Sequence, residues 1–544
     1  MPRGVLAPTS IQLKYSLSEL PSSQHRAGLV GLILHIEELK KTCKGVMRVL
    51  SLTEESASIE LDEQAVNELF DALYEATDEL QPRDKLDPDL EPVKIEEHQV
   101  VDPKSNKVKT KKLYFYHQTV PRGGFLDRRD KSQNKVHVEL WRDVIWQIMR
   151  GIDKQRNPFK ERAAGKQPSD GVKTWAQLSL NAEKSIGLKS TYFIGAQDTN
   201  AEGVSFHDKV KYQFLLHFWT YIAQIYVPQL VDRDGKHTYD GFCIAVPDVS
   251  SLKSFCEDFD LVLQQRRNDP TKFRPREFVI SIPAEAGLDA LRRMANVVQQ
   301  SSGQSQTGDL VVGVDVLHTR KDGNNVRLLY AGRVEPVAKR DTTYAAIAKN
   351  LLDFWFRRQR IINLIKGLDW FDGFDALLTE LPLEQGLLSK SFAQDARTCF
   401  RVSDEQHKAE LSMQLTSEKV CLESLVLKIV DSYLKRKLAD KYELEWSKLG
   451  TKEEQRNYSD KKHSLATECF YAVRSRNSKD DFINYFASTI CSVPQWMSSK
   501  EYLSITQELY GNTDKIRTLT MLALSARIER GDDKDEGKEN KDNG

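Results

Sequence analysis

Ile11-Gln12-Leu13-Lys14-Tyr15-Ser16-Leu17, followed by Leu20-Pro21-Ser22-Ser23-Gln24-His25-Arg26-Ala27-Gly28-Leu29, is the stretch whose reading decides the fold. The first run alternates apolar and polar residues, which predicts a strand. Pro21 then precedes a helix that starts at Ser22 or Ser23 and runs to about Lys41. Gly28 and Gly31 each weaken a helix by about 1 kcal/mol, so their expected purpose is close approach to a sheet. Val46–Leu52 and Ala57–Leu61 read as strands. Asp62 caps a further helix with apolar positions at Val66, Leu69, Phe70, Leu73 and Leu80.

Strand, helix, two strands, helix is half of a ferredoxin-like α/β layer. Val93–Val101 and Lys107–His117 predict a hairpin closed by Pro103-Lys104-Ser105-Asn106. Thr119–Asn134 reads as a loop, Val138–Ile152 as an amphipathic helix, and Asp153–Lys173 as a second basic loop. Trp175–Ser185 and the strongly apolar Lys209–Ile225 read as helices. Phe242–Val246 and Glu277–Pro283 read as strands, each followed by a helix. Leu310–Thr319 and Val326–Val334 predict a hairpin around Lys321-Asp322-Gly323-Asn324. Thr342–Lys366 reads as one long helix.

From Glu384 to Arg530 only helical patterns appear. The expected fold class is therefore α+β, with mixed sheets and packed helices over 1–383, followed by an all-α bundle over 384–530. The tail 531–544 is rich in Asp, Lys, Glu, Gly and Asn and reads as disordered.

Charge is distributed unevenly along a chain whose formal net charge is +0. Val101–Lys173 holds eighteen Lys and Arg against eight Asp and Glu. Ser51–Val100, just before it, holds sixteen acidic residues against three basic ones. A basic, glycine-containing segment suits a polyphosphate, because each cation that meets a phosphate releases a counterion. The competing reading is a solvated face beside an acidic one. On the first reading Lys107, Lys109, Lys111, Lys112, Arg122, Arg128, Arg129, Lys131, Lys160, Arg162 and Lys166 are candidate DNA contacts. Gln197 and Asn200 join them, since amides in a Gly-flanked turn (Gly195–Gly203) can read base edges. An ordinary capped turn explains the same residues. Phe354-Trp355-Phe356, with Arg357, Arg358 and Arg360, could grip RNA or be a helix with its aromatics inward.

Several function classes find no support. No apolar run approaches the ~20 residues of a membrane span, and Met1–Pro8 lacks an apolar signal core, so a cytoplasmic protein is expected. Seven scattered cysteines give neither a zinc spacing nor a disulfide framework. No phosphate-binding glycine loop, dinucleotide fingerprint or nucleophile elbow occurs, so no cofactor is expected and none of the residues is assigned a catalytic role. His207-Asp208 stands alone and reads as a helix cap by Asp208. Val311-Val312-Gly313-Val314-Asp315-Val316 resembles the first strand of an RNase H-like nuclease, which would need further carboxylates around Asp315 for its metals.

Leu20–Leu29, and the block from Tyr192 through Leu216 to Val227-Pro228 and Gly241–Pro247, resemble the Cas-eight family. These are the large subunits of type I CRISPR Cascade, and the layout is similar to the myxobacterial-type branch, also found in type I-B systems. The resemblance implies a non-catalytic subunit of an RNA-guided complex. Guide pairing reads the sequence, while the protein reads a short motif beside the target and helps open the duplex. The implied partners are the guide's 5′ handle, the target duplex and its displaced strand, and the other Cascade subunits. A helicase-nuclease or a transposition adaptor is the further partner the resemblance leaves open. A purely structural scaffold is the alternative to the DNA-reading subunit.

Overall fold

The computed structural model describes residues 9–88, 90–101, 108–131, 135–149, 156–188, 205–232, 234–264, 278–302, 310–323, 325–412, 420–492 and 497–526. It divides into two compact units, one of Met1–Leu230 with Thr238–Asp341, the other of Val231–His237 with Thr342–Gly544.

Unit 1 mixes sheets and helices. β1 (Ile11–Ser16), α1 (Ser23–Leu39), β2 (Met47–Leu52), β3 (Ser56–Leu61) and α2 (Glu63–Leu73) follow the expected order. Their sheet runs β1-β3-β2, and both pairs are antiparallel. Ser22 and Asp62 cap α1 and α2 by accepting from His25 N and Ala65 N. Leu80 is not part of α2. The helix stops at Leu73, and Leu80 lies in β4 (Ala76–Arg83), a strand that the sequence pattern does not announce. β5 (Lys94–Val101) and β6 (Val108–Pro121) form the expected hairpin, and β4 joins it in the order β4-β6-β5. The turn Pro103–Asn106 lies outside the described residues.

α3 (Gly124–Arg129), α4 (Val136–Asp143) with a π turn over Val144–Ile148, α5 (Arg156–Ala163) and α6 (Ser169–Asn181) come next. β7 (Ser185–Gly187), β8 (His207–Lys209) and α7 (Val210–Leu215) lead to a 3-10 turn at Trp219–Tyr221. The expected helix Lys209–Ile225 is therefore short, and its last residues enter β9 (Gln224–Val231). An unbroken apolar run carries no period, so helix and buried strand look alike in it. β10 (His237–Tyr239), β11 (Phe242–Val249), α8 (Leu252–Gln264), β12 (Val279–Ile280), α9 (Pro283–Ser302), β13 (Val311–Asp322) and β14 (Asn325–Val334) complete the main sheet. Its order is β10-β9-β11-β13-β14, with β12 parallel to β9.

α1 is the centre of this unit. Ala27–Ile36 is buried all round. One side packs on β11. On another, a Cβ built on Gly28 would sit 2.3 Å from Leu215 O, and one on Gly31 2.7 Å from Phe218 O. The two glycines thus admit the backbone of α7 and the turn after it, not a sheet as the sequence suggested.

Unit 2 is helical: α10 (Ala338–Asn350, which begins in unit 1), α11 (Phe354–Lys366), α12 (Phe374–Glu380), α13 (Lys390–Ser412) and α14 (Leu422–Tyr442). α15 (Lys452–Arg474), α16 (Lys479–Tyr485) with a π turn to Ile490, α17 (Ser499–Gly511) and α18 (Thr513–Ala526) follow. α18 is the axis, buried along its length and packed by α13, α14 and α15. The single helix expected over Thr342–Lys366 breaks in two at Asp353. That side chain caps α11 through Trp355 N and Phe356 N and accepts the hydroxyls of Ser389 and Ser391. Buried Asp395 accepts from Leu352 N and Asp353 N, at 2.9 and 2.7 Å, and fixes the break. Burial pushes its carboxyl up to about 6. None of the seven cysteines is in a disulfide. Among the described residues no helix is long and apolar enough to cross a membrane.

Gly28→Ala tests the packing of α1. On an exposed helix the change would stabilise by about 1 kcal/mol; here it forces two backbones apart and should destabilise unit 1 by about 1–3 kcal/mol. Chemical denaturation of the variant measures this, and a gain in stability would refute the close contact.

Candidate nucleic-acid interface

The basic candidates of unit 1 gather around the β4-β6-β5 sheet. In the β5–β6 register Lys109 stands opposite Val100, Lys111 opposite His98 and Lys112 opposite Glu97. Lys112 Nζ is 3.2 Å from that glutamate. Lys107 lies outside the described residues. Buried Tyr116 ties down the segment after β4: its hydroxyl accepts from Asp87 N at 2.8 Å, and the Arg83 guanidinium lies over its ring. α5 packs against β4 and β6, and its Phe159 meets Tyr74 edge-on.

Where they are described, both expected basic loops are largely regular structure. Over Thr119–Asn134, β6 continues to Pro121 and α3 follows. Over Asp153–Lys173, α5 and the first turn of α6 are helical. The prolines and glycines mark helix starts and close contacts. Pro158 sits in the first turn of α5, and Pro168 precedes α6. Gly123 adopts φ 61° at the start of α3, and the Trp141 ring would meet any Cβ there.

Carboxylates of the acidic stretch and of two helices pair with several of these cations. Arg122 pairs with Glu79 at 3.2 Å and Arg162 with Asp71 at 3.3 Å. Burial raises the Asp71 carboxyl even so, and the nearby Arg162 opposes the rise. Arg128 pairs with Glu38 of α1, and Arg129 reaches both Glu38 (3.4 Å) and Asp260 of α8 (2.6 Å). Lys131 donates to Arg128 O. Lys160 and Lys166 are exposed and form no ion pair among the described residues. Both lie on α5 or just after it, so they share one substructure with β6.

Gln197 and Asn200 lie outside the described residues, but the base of their segment does not. β7 and β8 pair antiparallel, and Leu188 N donates to Phe206 O at 2.8 Å. The Gln213 amide donates to Ile186 O and Gly187 O. Asp208 is not the cap of α7: Lys209 holds the N-cap position, with no side-chain bond there. Instead Asp208 Oδ2 lies 2.9 Å from His25 Nε2, and His25 Nδ1 lies 2.8 Å from Ser22 Oγ. The base is thereby clamped to the start of α1.

In unit 2 the aromatics of α11 turn inward. Phe356 is buried against Phe374 and Phe392, and the Trp355 indole donates to Gln385. Arg357, Arg358 and Arg360 are half-buried. Arg358 lies over Trp355 and Arg360 over Trp370, at 5.6 and 6.0 Å, and burial lowers the pKa of the Arg360 guanidinium. A second cationic surface has no counterpart among the sequence candidates. The ammonium groups of Lys441 and Lys461 lie 5.3 and 5.2 Å from the Tyr442 ring, and Lys437 lies over Tyr433. The spacing Tyr433-Lys437-Lys441 on one helix face was the available signal.

The carboxylates around Asp315 are held by guanidinium groups. Asp315 and Asp248 both reach Arg333, at 3.3 and 2.7 Å, and Asp248 also binds Arg26 at 2.6 Å. Among the described residues no three His, Cys, Asp or Glu are grouped to hold a metal ion.

Residues 46–304 match the family model for the type I-B CRISPR Cas8b N-terminal domain, and residues 311–527 match that for the type I-B CRISPR Cas8b C-terminal domain. No curated protein matches the chain. The two models meet between α9 and β13 and together span both units from residue 46 to 527, leaving β1 and α1 outside them. The chain belongs to the Cas8b family and is a large subunit of a type I-B CRISPR Cascade, which works with other Cas proteins and a CRISPR RNA.

Proposed function

We propose that this chain is the non-catalytic subunit that reads the motif beside the DNA target, helps open the duplex and supports the R-loop. The observation that carries this reading is the cationic surface left after internal pairing. Among the described residues Lys160 and Lys166 remain outside any ion pair, on the substructure that carries Lys109, Lys111 and Lys112. Lys131 is proposed to extend it, and Lys107, outside the described residues, is proposed as a further contact. Arg122 and Arg128 can add to this surface, because an exposed ion pair is worth only about 0–1 kcal/mol and exchanges readily for a phosphate, whereas Arg162 is half-buried against Asp71. Arg129, largely buried between two carboxylates, is better suited to holding α3 in place.

Sequence discrimination is proposed for Gln197 and Asn200, whose segment stands on the clamped β7–β8 base. Arg357 and Arg358 are proposed to meet the guide's 5′ handle, with Arg360 behind them. Lys437, Lys441 and Lys461 are proposed to line the path of the displaced strand. The arginines around Asp315 support a structural role for that residue over a nuclease. Placement in the myxobacterial-type branch is proposed on similarity of layout alone. Whether the complex recruits a helicase-nuclease or transposition proteins depends on its other subunits.

Changing Lys109, Lys111, Lys160 and Lys166 together to Gln should flatten the salt dependence of target binding. The log–log slope should fall by about 0.9 for every phosphate that is no longer neutralised. Arg129→Gln should lower the melting temperature and leave that slope almost unchanged. An unaltered slope in the lysine variant refutes the proposed surface.

Gln197→Ala or Asn200→Ala should relax preference at one motif position by about tenfold, with the salt slope preserved. A library of motif variants reads this directly. Wild-type preference in both variants would move the reader elsewhere.

A further inference from the structure

Between β4 and β5 the chain runs Asp84-Lys85-Leu86-Asp87-Pro88-Asp89-Leu90-Glu91-Pro92-Val93. Acidic and apolar residues interleave along it, and the apolar ones do not turn inward. Leu86, Leu90 and Val93 are 55%, 51% and 56% exposed, and Ile95 at the start of β5 is 53% exposed. A single exposed leucine needs no explanation, but a group of them within ten residues marks an interaction surface.

The segment is anchored to the sheet beneath it. Arg83 Nη1 reaches Asp87 Oδ2 at 2.6 Å, and the Tyr116 hydroxyl accepts from Asp87 N. Pro88 sits in the turn that Leu90 N closes on Asp87 O, and Val93 N donates to Phe115 O at 2.8 Å. In the β5–β6 register Ile95 stands opposite Tyr114. Ile95 therefore shares a sheet face with Tyr114 and Tyr116, the face on which Asp87 is tied down. An apolar group held in place before binding loses little conformational entropy on binding.

Charge selects the occupant. Residues 83–97 hold six Asp and Glu against three Lys and Arg. The surface thus stays acidic even when the Arg83–Asp87 and Lys94–Glu96 pairs open. Its carboxylates repel the phosphates of DNA and RNA and attract ammonium and guanidinium groups. They also repel the same surface on a second copy of the chain.

We propose that Leu86, Leu90, Val93 and Ile95 form a docking epitope for another protein subunit of the complex, one that offers an apolar groove rimmed by Lys and Arg. The apolar side chains enter the groove and supply the affinity, while Glu91 and its acidic neighbours fix the orientation and keep nucleic acid out. This inference rests on membership of a multi-subunit complex and is independent of the DNA surface proposed above.

Photo-crosslinking tests it, with benzoylphenylalanine at position 90 of the full chain, assembled with the other purified subunits and guide RNA but no target DNA. Peptide mapping should place the adduct on another subunit, in a segment where apolar residues stand beside Lys or Arg. An adduct on the guide RNA, on a second copy of the chain or on the chain itself would overturn the proposal. So would an adduct on a segment without Lys or Arg, or no adduct at all. The double variant Leu86→Ser with Leu90→Ser should keep the melting temperature of the isolated chain and bind the rest of the complex about tenfold more weakly. Glu91→Lys should weaken the same binding at low salt, and the difference should fade as salt rises. Wild-type binding in both variants would also overturn the proposal. If the double variant melts lower, the crosslink and Glu91→Lys decide.

Discussion

Unit 1 depends on the backbone contact between α1 and the segment Leu215–Phe218, which only glycine at positions 28 and 31 allows. The contact places α1 between that segment and β11, and from there α1 organises its neighbours through a few polar side chains. His25 holds β8 through Asp208, Arg26 ties Asp248 at the end of β11, and Glu38 receives Arg128 and Arg129 from α3. Each bond reaches an element distant in sequence. A shift of α1 would therefore be felt at the sheet end, at the base of the 188–206 segment and at α3 together.

Electrostatics in unit 1 are a matter of what remains after compensation. The acidic stretch before β6 supplies Asp71, Glu79 and Glu97 to the basic stretch after it. Part of the linear charge imbalance is thus compensated internally, which lessens the self-repulsion of a single-sign field. Among the described side chains, Lys160 and Lys166 remain outside any ion pair. Since phosphate contacts act by releasing counterions, the proposed DNA binding asks for only a few such lysines and no large basic patch. Most of the exposed pairs are weak enough to rearrange against DNA.

Much of the architecture was legible where a local signal fixed it. Ser22 and Asp62 announced their helices because N-caps act within one turn, and Asp322-Gly323 announced the β13–β14 hairpin. Elements set by distant partners were not legible. β4 is acidic and contains Pro82, which an edge strand tolerates and a central strand does not. The break at Asp353 requires Asp395, a residue far along the chain. The two basic stretches look like loops because proline and glycine usually punctuate loops, whereas here they start helices. The candidate site was legible as a set of cations but not as pairs, since the partner of Arg129 lies on α8 and that of Arg128 on α1.

The central claim is that duplex DNA meets the β6 lysines and α5. A density map of the complete complex on target DNA tests it most directly. The account predicts phosphates of the duplex beside the target motif in direct contact with lysines of β6 and with Lys160 or Lys166. A duplex lying farther than a Debye length, about 8 Å, from all of these lysines, with the motif contacted by another subunit, would contradict it.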